Sequence, residues 1–222
     1  MDIRTGEVSP DVLLEIHDDY AVRPSDTAPE LRNRQLGQLV ADLTDVPHGR
    51  EGASDFENWT LRTCRILFSG PLKNFELHPT PGGVQQRDVV ATNNAESGFW
   101  KRVLDDYKTR QLVFELKNFE DLSIDDFRQS LSYSGRQYGR FVLIIHRSDA
   151  EGLTQKVRAR VKELWDQHET LVMTIPTVVL ARCLRKARSP LTKKRSYVDR
   201  ILSKRLDRFE RNYVALQQGQ RS

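Results

Sequence analysis

Short apolar segments alternate with amphipathic helical segments along much of the chain, and this alternation is the strongest constraint on its fold. The segments predicted as strands are residues 74–78, 85–92, 112–118, 141–145 and 171–175. A turn at 81–83 joins the first two, whereas helical crossovers join the last three, which favours parallel pairing there. The expected fold class is therefore α/β, with a central mixed β-sheet flanked by helices.

The segments around this pattern are predicted to be helical. Residues 1–50 are interpreted as an N-terminal helical leader, 51–188 as the core, and 189–222 as a basic C-terminal helix. The core begins with a helix at about 54–69, and residues 99–107 are left open between a short helix and an extended loop.

Composition narrows the class of protein. The 222 residues include only Cys64 and Cys183 as cysteines, too few for a disulfide framework or a cysteine-rich zinc site. No segment is long and apolar enough to span a bilayer, and the N-terminus lacks the basic and apolar regions of a signal peptide. We therefore expect a cytoplasmic protein without a membrane partner.

Charged residues interrupt two of the predicted strands. Glu115 and Lys117 share one face of the strand at 112–118, and Asp88 lies within the apolar strand before it. Burying these charges is costly unless they have a function. If the two strands are neighbours, Asp88 and Glu115 converge into an oxygen-ligand site suited to Mg²⁺, with Lys117 beside a water or phosphate. An exposed cross-strand ion pair is the alternative interpretation of Glu115 and Lys117.

The order of Asp88 followed by Glu115-Leu116-Lys117 resembles the signature of the restriction-endonuclease-like, or PD-(D/E)XK, nuclease superfamily. The similarity extends over roughly residues 54–187, and the residue before Asp88 is arginine where the family name has proline. The resemblance implies a mixed sheet flanked by helices, Mg²⁺ held by Asp88 and Glu115 (with Mn²⁺ able to substitute), and a lysine that assists the attacking water.

Two further features fit the Mrr-like and RecB-like branches of this superfamily. Members often carry a glutamate on the helix before the sheet, where this chain has Glu57, and a Gln-x-x-x-Tyr pattern after the lysine strand, here Gln129 and Tyr133. Glu57 also has capping-box spacing from Ser54, so a purely structural role stays open. Ser123 and Asp126 have the same spacing at the start of the helix after the lysine strand. Gln129 and Tyr133 are one helical turn apart and share a face, and we expect Gln129 to line the site.

Basic residues dominate the C-terminal segment, whose only acids after Arg182 are Asp199, Asp207 and Glu210. A predicted helix at about 191–215 has one basic side and one apolar side. The basic residues expected to bind nucleic acid are Arg200, Lys204, Arg208 and Arg211. The apolar residues that need cover, from this chain or from a second copy, are Val198, Leu202, Leu206, Phe209 and Tyr213.

The sequence thus predicts an Mg²⁺-dependent endonuclease that hydrolyses phosphodiester bonds, with DNA favoured over RNA. Family analogy suggests prokaryotic restriction or anti-phage defence as its setting. A nuclease-like module that only binds DNA or a protein is the alternative. The chain contains no nucleotide-binding motif, so any ATPase or sensor would be a separate chain, and a homo-oligomer is left open.

Overall fold

The structure is a computed structural model that describes residues 29–68, 70–79, 88–135, 138–187 and 195–214. Its strands are β1 (Leu72–Leu77), β2 (Val89–Asn93), β3 (Gln111–Lys117), β4 (Phe141–His146) and β5 (Leu171–Pro176). Its helices are α1 (Pro29–Asp45), α2 (Ala53–Phe68), α3 (Gly98–Tyr107), α4 (Ile124–Ser132), α5 (Gln155–His168), α6 (Thr177–Ala187) and α7 (Arg195–Phe209), and a π-helical turn at Glu210–Val214 follows α7.

The five strands form one mixed sheet in the order β1-β2-β3-β4-β5. The first three strands pair antiparallel, and β3, β4 and β5 pair parallel. The helices α4 and α5 provide the crossovers between the parallel strands, as such strands require. The predicted α/β class with a central mixed sheet is confirmed. The predicted turn at 81–83 lies outside the described residues.

Helices cover both faces of this sheet, and β3 shows the division. On one face, the Phe114 ring stacks on Phe68 of α2, with ring centroids 6.5 Å apart. On the other face, Lys117 contacts Asp126 and Gln129 of α4. Strand β3 is the central strand of the sheet. Its polar residues on this face, Glu115 and Lys117, are therefore flanked by strands on both sides and covered by α4.

Residues 99–107, which the sequence left open between helix and loop, are helical and belong to α3. Lys108 ends it in the left-handed conformation, with φ of 56°. Its first turn receives a carboxylate from a distant helix, because Asp199 Oδ1 accepts hydrogen bonds from Ser97 Oγ and from the Phe99 backbone N–H. This cap depends on tertiary packing between α3 and α7 and has no local sequence signature.

The N-terminal leader predicted for residues 1–50 includes α1, which packs into the core. Leu36 and Leu39 of α1 are buried, and Trp59 Nε1 donates a 2.7 Å hydrogen bond to the Leu39 carbonyl. Arg147 donates to the Leu43 carbonyl at the end of the same helix. The described part of the leader is therefore integrated with the predicted core, while the three-part domain division itself stays a prediction.

The apolar side of the C-terminal helix is covered by this chain. The five apolar residues expected to need cover are all buried: Val198, Leu202, Leu206, Phe209 and Tyr213. The three acids of the segment face α3, because Asp199 caps it, Asp207 pairs with Arg102, and Glu210 pairs with Arg102 and accepts from Tyr107. A second copy of the chain is not needed to bury this helix.

The two predicted capping boxes have different outcomes. Ser123 and Asp126 form the predicted box at the start of α4. The box predicted for Ser54 and Glu57 is wrong, because the Gly52 carbonyl accepts the first helical bond from Phe56 and α2 begins at Ala53. A Cβ on Gly52 would lie 2.0 Å from the Pro47 carbonyl oxygen, so this start requires glycine.

None of the described helices combines the length and the apolar character needed to cross a lipid bilayer.

We expect Leu202→Ala to lower the free energy of unfolding by about 2–5 kcal/mol, because Leu202 is fully buried and its loss leaves a cavity. The exposed neighbour Lys204 provides the matched control, and Lys204→Ala should change stability by less than about 0.5 kcal/mol. Urea denaturation of both variants measures the difference. Equal stabilities would mean that α7 does not pack on the core in solution.

Candidate active site

The Asp88 carboxylate is fixed beside strand β3 by a backbone hydrogen bond. Asp88 directly precedes β2, which pairs antiparallel with β3, with Val89 opposite Phe114. Its Oδ2 accepts a 2.7 Å hydrogen bond from the Leu116 N–H. Leu116 lies between Glu115 and Lys117, so this one bond places Asp88 next to both. The sequence put Asp88 inside a strand at 85–92, whereas the described strand begins just after it.

Glu115 is a fully buried carboxylate in the middle of the sheet, with 0% of its surface exposed. The Lys117 ammonium lies 2.7 Å from Glu115 Oε1. The Tyr133 hydroxyl also interacts with this carboxylate. A fully buried carboxylate is costly even with such partners, and a buried acid beside a second acid is typical of a site that binds a cation.

Both acids have raised pKa values. Burial, followed by the charge of Asp88, raises the pKa of Glu115 to about 7, although Lys117 acts in the opposite direction. Burial also raises the pKa of Asp88, opposed by the Leu116 N–H and by Lys117. Even with Lys117 beside it, the pair resists carrying two negative charges unless a further positive charge joins it.

Lys117 is held by three oxygen atoms. Besides Glu115, its Nζ lies 3.3 Å from Asp126 Oδ1 and donates to Gln129 Oε1 at 3.2 Å. Burial acts to lower the pKa of Lys117, but the Glu115 and Asp126 carboxylates outweigh it and raise the pKa above its ordinary value. Lys117 is thus an ammonium at neutral pH, suited to neutralising charge and orienting a polar group.

The helix α4 presents a short polar chain to this lysine. Gln129 accepts from Lys117 and donates from Nε2 to the Tyr133 hydroxyl at 2.9 Å. Burial, followed by the charge of Glu115, raises the pKa of Tyr133 to about 12. The structure therefore brings the two residues of the Gln-x-x-x-Tyr pattern to the lysine and to the buried glutamate, as their spacing on one helical face predicts.

Glu57 is joined to Asp88 through His78. The His78 Nε2 lies 3.0 Å from Glu57 Oε2, and the His78 backbone N–H donates to the Asp88 carbonyl at 2.9 Å. Burial and the charge of Asp88 raise the pKa of Glu57, whereas His78 and Lys117 lower it. Glu57 thus faces the site from α2 and makes no cap.

Sequence reasoning assigned no role to His78 or Asp126, although both contact site residues. Asp126 was identified only as the capping residue of α4; its Oδ2 accepts the Ser123 N–H while Oδ1 faces Lys117. His78 follows β1 in the left-handed conformation, with φ of 53°. One feature of the sequence could have indicated its role. His78 follows β1, Asp88 precedes β2, and these two strands pair antiparallel, which brings the two residues together.

Asp88 and Glu115 provide the kind of donors that a hard divalent cation prefers. No group of three or more His, Cys, Asp or Glu residues arranged to hold a metal occurs among the described residues. Mg²⁺ does not need such a cage, because it keeps several waters and is often held by one or two carboxylates together with substrate phosphates. The complete burial of Glu115 and the raised pKa values of both acids fit this mode of binding.

The predicted nucleic-acid-binding residues lie on other elements. Arg200, Lys204 and Arg208 are exposed on α7, and Arg211 is exposed on the π-helical turn. The acids of the same segment face α3, so the exposed side keeps its positive charge.

No family model matches the chain. The chain is 36% identical over 222 residues to an 80.3 kDa protein of Escherichia coli (strain K12) that is named for the transposon gamma-delta. This match covers 100% of the chain but only 32% of that protein, so the chain spans about a third of the length of the curated relative. The relative's name therefore describes a protein much longer than this chain.

We expect Glu115→Gln to remove part of the pH dependence of stability in metal-free buffer. The folded-state pKa of Glu115, about 7, lies above its unfolded value of 4.5, so the folded state binds more protons between these values. The contribution of Glu115 to stability therefore falls as pH rises from about 4.5 to about 7, by on the order of 1–3 kcal/mol, and stays low above that.

The measurement is the free energy of unfolding of the wild type and of Glu115→Gln from pH 5 to pH 8, with EDTA present. The variant should gain stability relative to the wild type as pH rises. Parallel curves would show that Glu115 titrates normally in the folded protein.

Proposed function

We propose that this chain is a metal-dependent nuclease of the PD-(D/E)XK class that hydrolyses phosphodiester bonds, with DNA as the favoured substrate. The observation that carries the proposal is the meeting of Asp88 and Glu115 at β3, with the Lys117 ammonium 2.7 Å from Glu115. The helix α4 adds Gln129 to the same lysine, in the place where the Mrr-like and RecB-like branches of that class often carry a glutamine.

Each residue has a separate part in this proposal. Asp88 and Glu115 hold Mg²⁺ or Mn²⁺, which supplies Lewis-acid charge neutralisation at the phosphate. Lys117 orients the attacking water and neutralises negative charge that develops on the phosphate. Gln129 and Asp126 keep the ammonium in place, since both contact its Nζ. Glu57 faces the site from α2 and adds a third carboxylate near Asp88.

The setting we propose is prokaryotic and cytoplasmic, in restriction or anti-phage defence or on the DNA of a mobile element. The relative's association with a transposon supports a role on DNA. Since the chain corresponds to a third of that relative, the nuclease proposed here would be one unit of a larger protein in the relative.

The exposed side of the C-terminal segment is the proposed contact with the phosphate backbone. Arg200, Lys204, Arg208 and Arg211 are exposed while the acids of that segment are occupied by α3. Phosphate contacts of this kind position nucleic acid without reading its sequence. A module that binds DNA or a protein without cutting is the competing hypothesis, and the variants below separate it from a nuclease.

We expect Asp88→Asn and Glu115→Gln each to reduce cleavage by at least about a hundredfold, because each removes a charged metal ligand while keeping the shape of the side chain. Asp125→Asn is the matched control, since Asp125 is exposed on α4. The measurement is the rate of cleavage of plasmid, single-stranded DNA and RNA with Mg²⁺, Mn²⁺ or EDTA. Undiminished cleavage by either site variant would refute the metal site, and no cleavage by the wild type would favour the binding-module hypothesis.

Lys117→Ala should lower the cleavage rate by about 10²–10⁴-fold and keep its affinity for DNA. The reason is that the lysine stabilises the transition state and does not contribute to binding of the duplex. Binding is measured by fluorescence anisotropy with EDTA, and cleavage in Mg²⁺. A Lys117→Ala variant that cuts at the normal rate would reduce Lys117 to a structural partner of Glu115.

Changing Arg200, Lys204, Arg208 and Arg211 together to Gln should flatten the dependence of log affinity on log salt by about one unit for each lost phosphate contact. A variant with Gln at Lys101, Lys108, Arg110 and Lys156 removes the same charge from exposed positions elsewhere. The salt titration of DNA binding compares both with the wild type. If both variants have the same slope, the C-terminal segment does not contact DNA directly.

A further inference from the structure

Arg205 is a buried arginine on α7 whose three hydrogen bonds go to neutral oxygens. It is 7% exposed, and its Nε donates to the Thr174 carbonyl at 2.6 Å. Its other two bonds reach Thr174 Oγ1 and the Glu151 carbonyl, each at 3.3 Å. The Phe209 ring lies 5.4 Å from its guanidinium carbon. A buried charge is normally paired with an opposite one, and these contacts fix the guanidinium without neutralising it.

Burial, followed by the charge of Arg208, lowers the pKa of Arg205 to about 10. The group is still cationic at neutral pH. A guanidinium has five N–H donors, and the three bonds to described residues leave two for another acceptor.

A cavity of about 100 Å³ lies against this guanidinium. Arg158 and Arg208, both exposed, line it together with Asn212 and Tyr213. The Arg158 Nε donates to the Leu153 carbonyl at 3.0 Å, which holds the side chain at the cavity wall. The space suffices for several water molecules, and so for one small anion.

The charge around the cavity is strongly positive. Among the described residues that line it are three arginines and one acidic residue, Glu151. That carboxylate is already paired with Arg182, so it does little to offset the arginines. Arginine is suited to phosphate because its planar fork donates two parallel hydrogen bonds to an oxyanion.

The position of the cavity relates it to the candidate active site. Thr174, which holds Arg205, is in register with Ile144 of β4, and Ile144 is in register with Glu115 of β3. Two strand spacings of about 4.8 Å therefore separate the backbone of Thr174 from that of Glu115. The residue that holds Arg205 therefore lies in the same sheet as Glu115, two strands away.

We propose that the cavity formed by Arg158, Arg205 and Arg208 binds a phosphate group, namely a backbone phosphate of the nucleic acid that reaches the carboxylate site. The nucleic-acid source rests on the proposed function, whereas the preference for phosphate rests on the cavity alone. This differs from a uniformly basic helix surface, because Arg208 belongs to the cavity while Arg200 and Lys204 do not line it.

The test compares four single variants that remove the same charge. Arg158→Gln and Arg208→Gln change the cavity, whereas Lys101→Gln and Arg110→Gln change exposed positions outside both the cavity and the basic side of the C-terminal segment. Arg205 is left intact because its bonds to β5 also support the fold. Calorimetry measures binding of inorganic phosphate, and anisotropy measures binding of a labelled DNA duplex in EDTA, so that neither readout depends on cleavage.

We expect each cavity variant to weaken both inorganic phosphate and duplex binding by about tenfold, the effect of losing a charge-assisted hydrogen bond. Each control variant should leave phosphate binding within about twofold of the wild type. Equal losses of phosphate affinity in all four variants would overturn the assignment of the cavity as a phosphate site. Absence of phosphate binding by the wild type would do the same. Loss of phosphate binding with unchanged duplex binding would overturn the nucleic-acid source and assign the pocket to a free phosphate. Because both measurements report binding, an absence of cleavage by the wild type would not change their interpretation.

Discussion

The buried Glu115 carboxylate is the interaction on which the candidate site depends. It lies at the centre of the sheet, and its pKa is raised to about 7 by burial and by Asp88, although an ammonium lies 2.7 Å away. A folded protein can keep such a buried charge only if the rest of the structure offsets the free-energy cost of removing it from water. The Leu116 N–H holds Asp88 close to it, and α4 holds Lys117. The site is therefore strained electrostatically in a way that a divalent cation would relieve.

The C-terminal segment adds a basic surface to the fold. Its apolar side completes the core, and its acids are used in contacts with α3, where Asp199 caps the helix and Asp207 and Glu210 pair with Arg102. The remaining basic side chains are thereby separated from the acids of the same segment. Packing of α7 thus produces two features that we relate to polyanion binding, the exposed basic side and the cavity against Arg205.

Sequence patterns within one strand or one helix correctly predicted which side chains share a face of that element. Alternation within one strand was enough to place Glu115 and Lys117 on one face of β3, and spacing on one helix was enough to bring Gln129 and Tyr133 together. Predictions failed where tertiary packing decides. The spacing of Ser54 and Glu57 indicated a cap, but the chain before α2 turns at Gly52, and Glu57 contacts His78. That contact joins residues 21 positions apart on two elements, and no spacing rule reports it.

The most direct test of the metal site is a titration of the protein with Mn²⁺, followed by electron paramagnetic resonance of the free ion, in the absence of nucleic acid. We predict that the wild type and the exposed-site control Asp125→Asn bind Mn²⁺ alike. Asp88→Asn should bind at least about tenfold more weakly, because it lacks one of the two charged ligands. Equal Mn²⁺ binding by all three proteins, with their folds intact, would contradict the claim that Asp88 and Glu115 form a metal site.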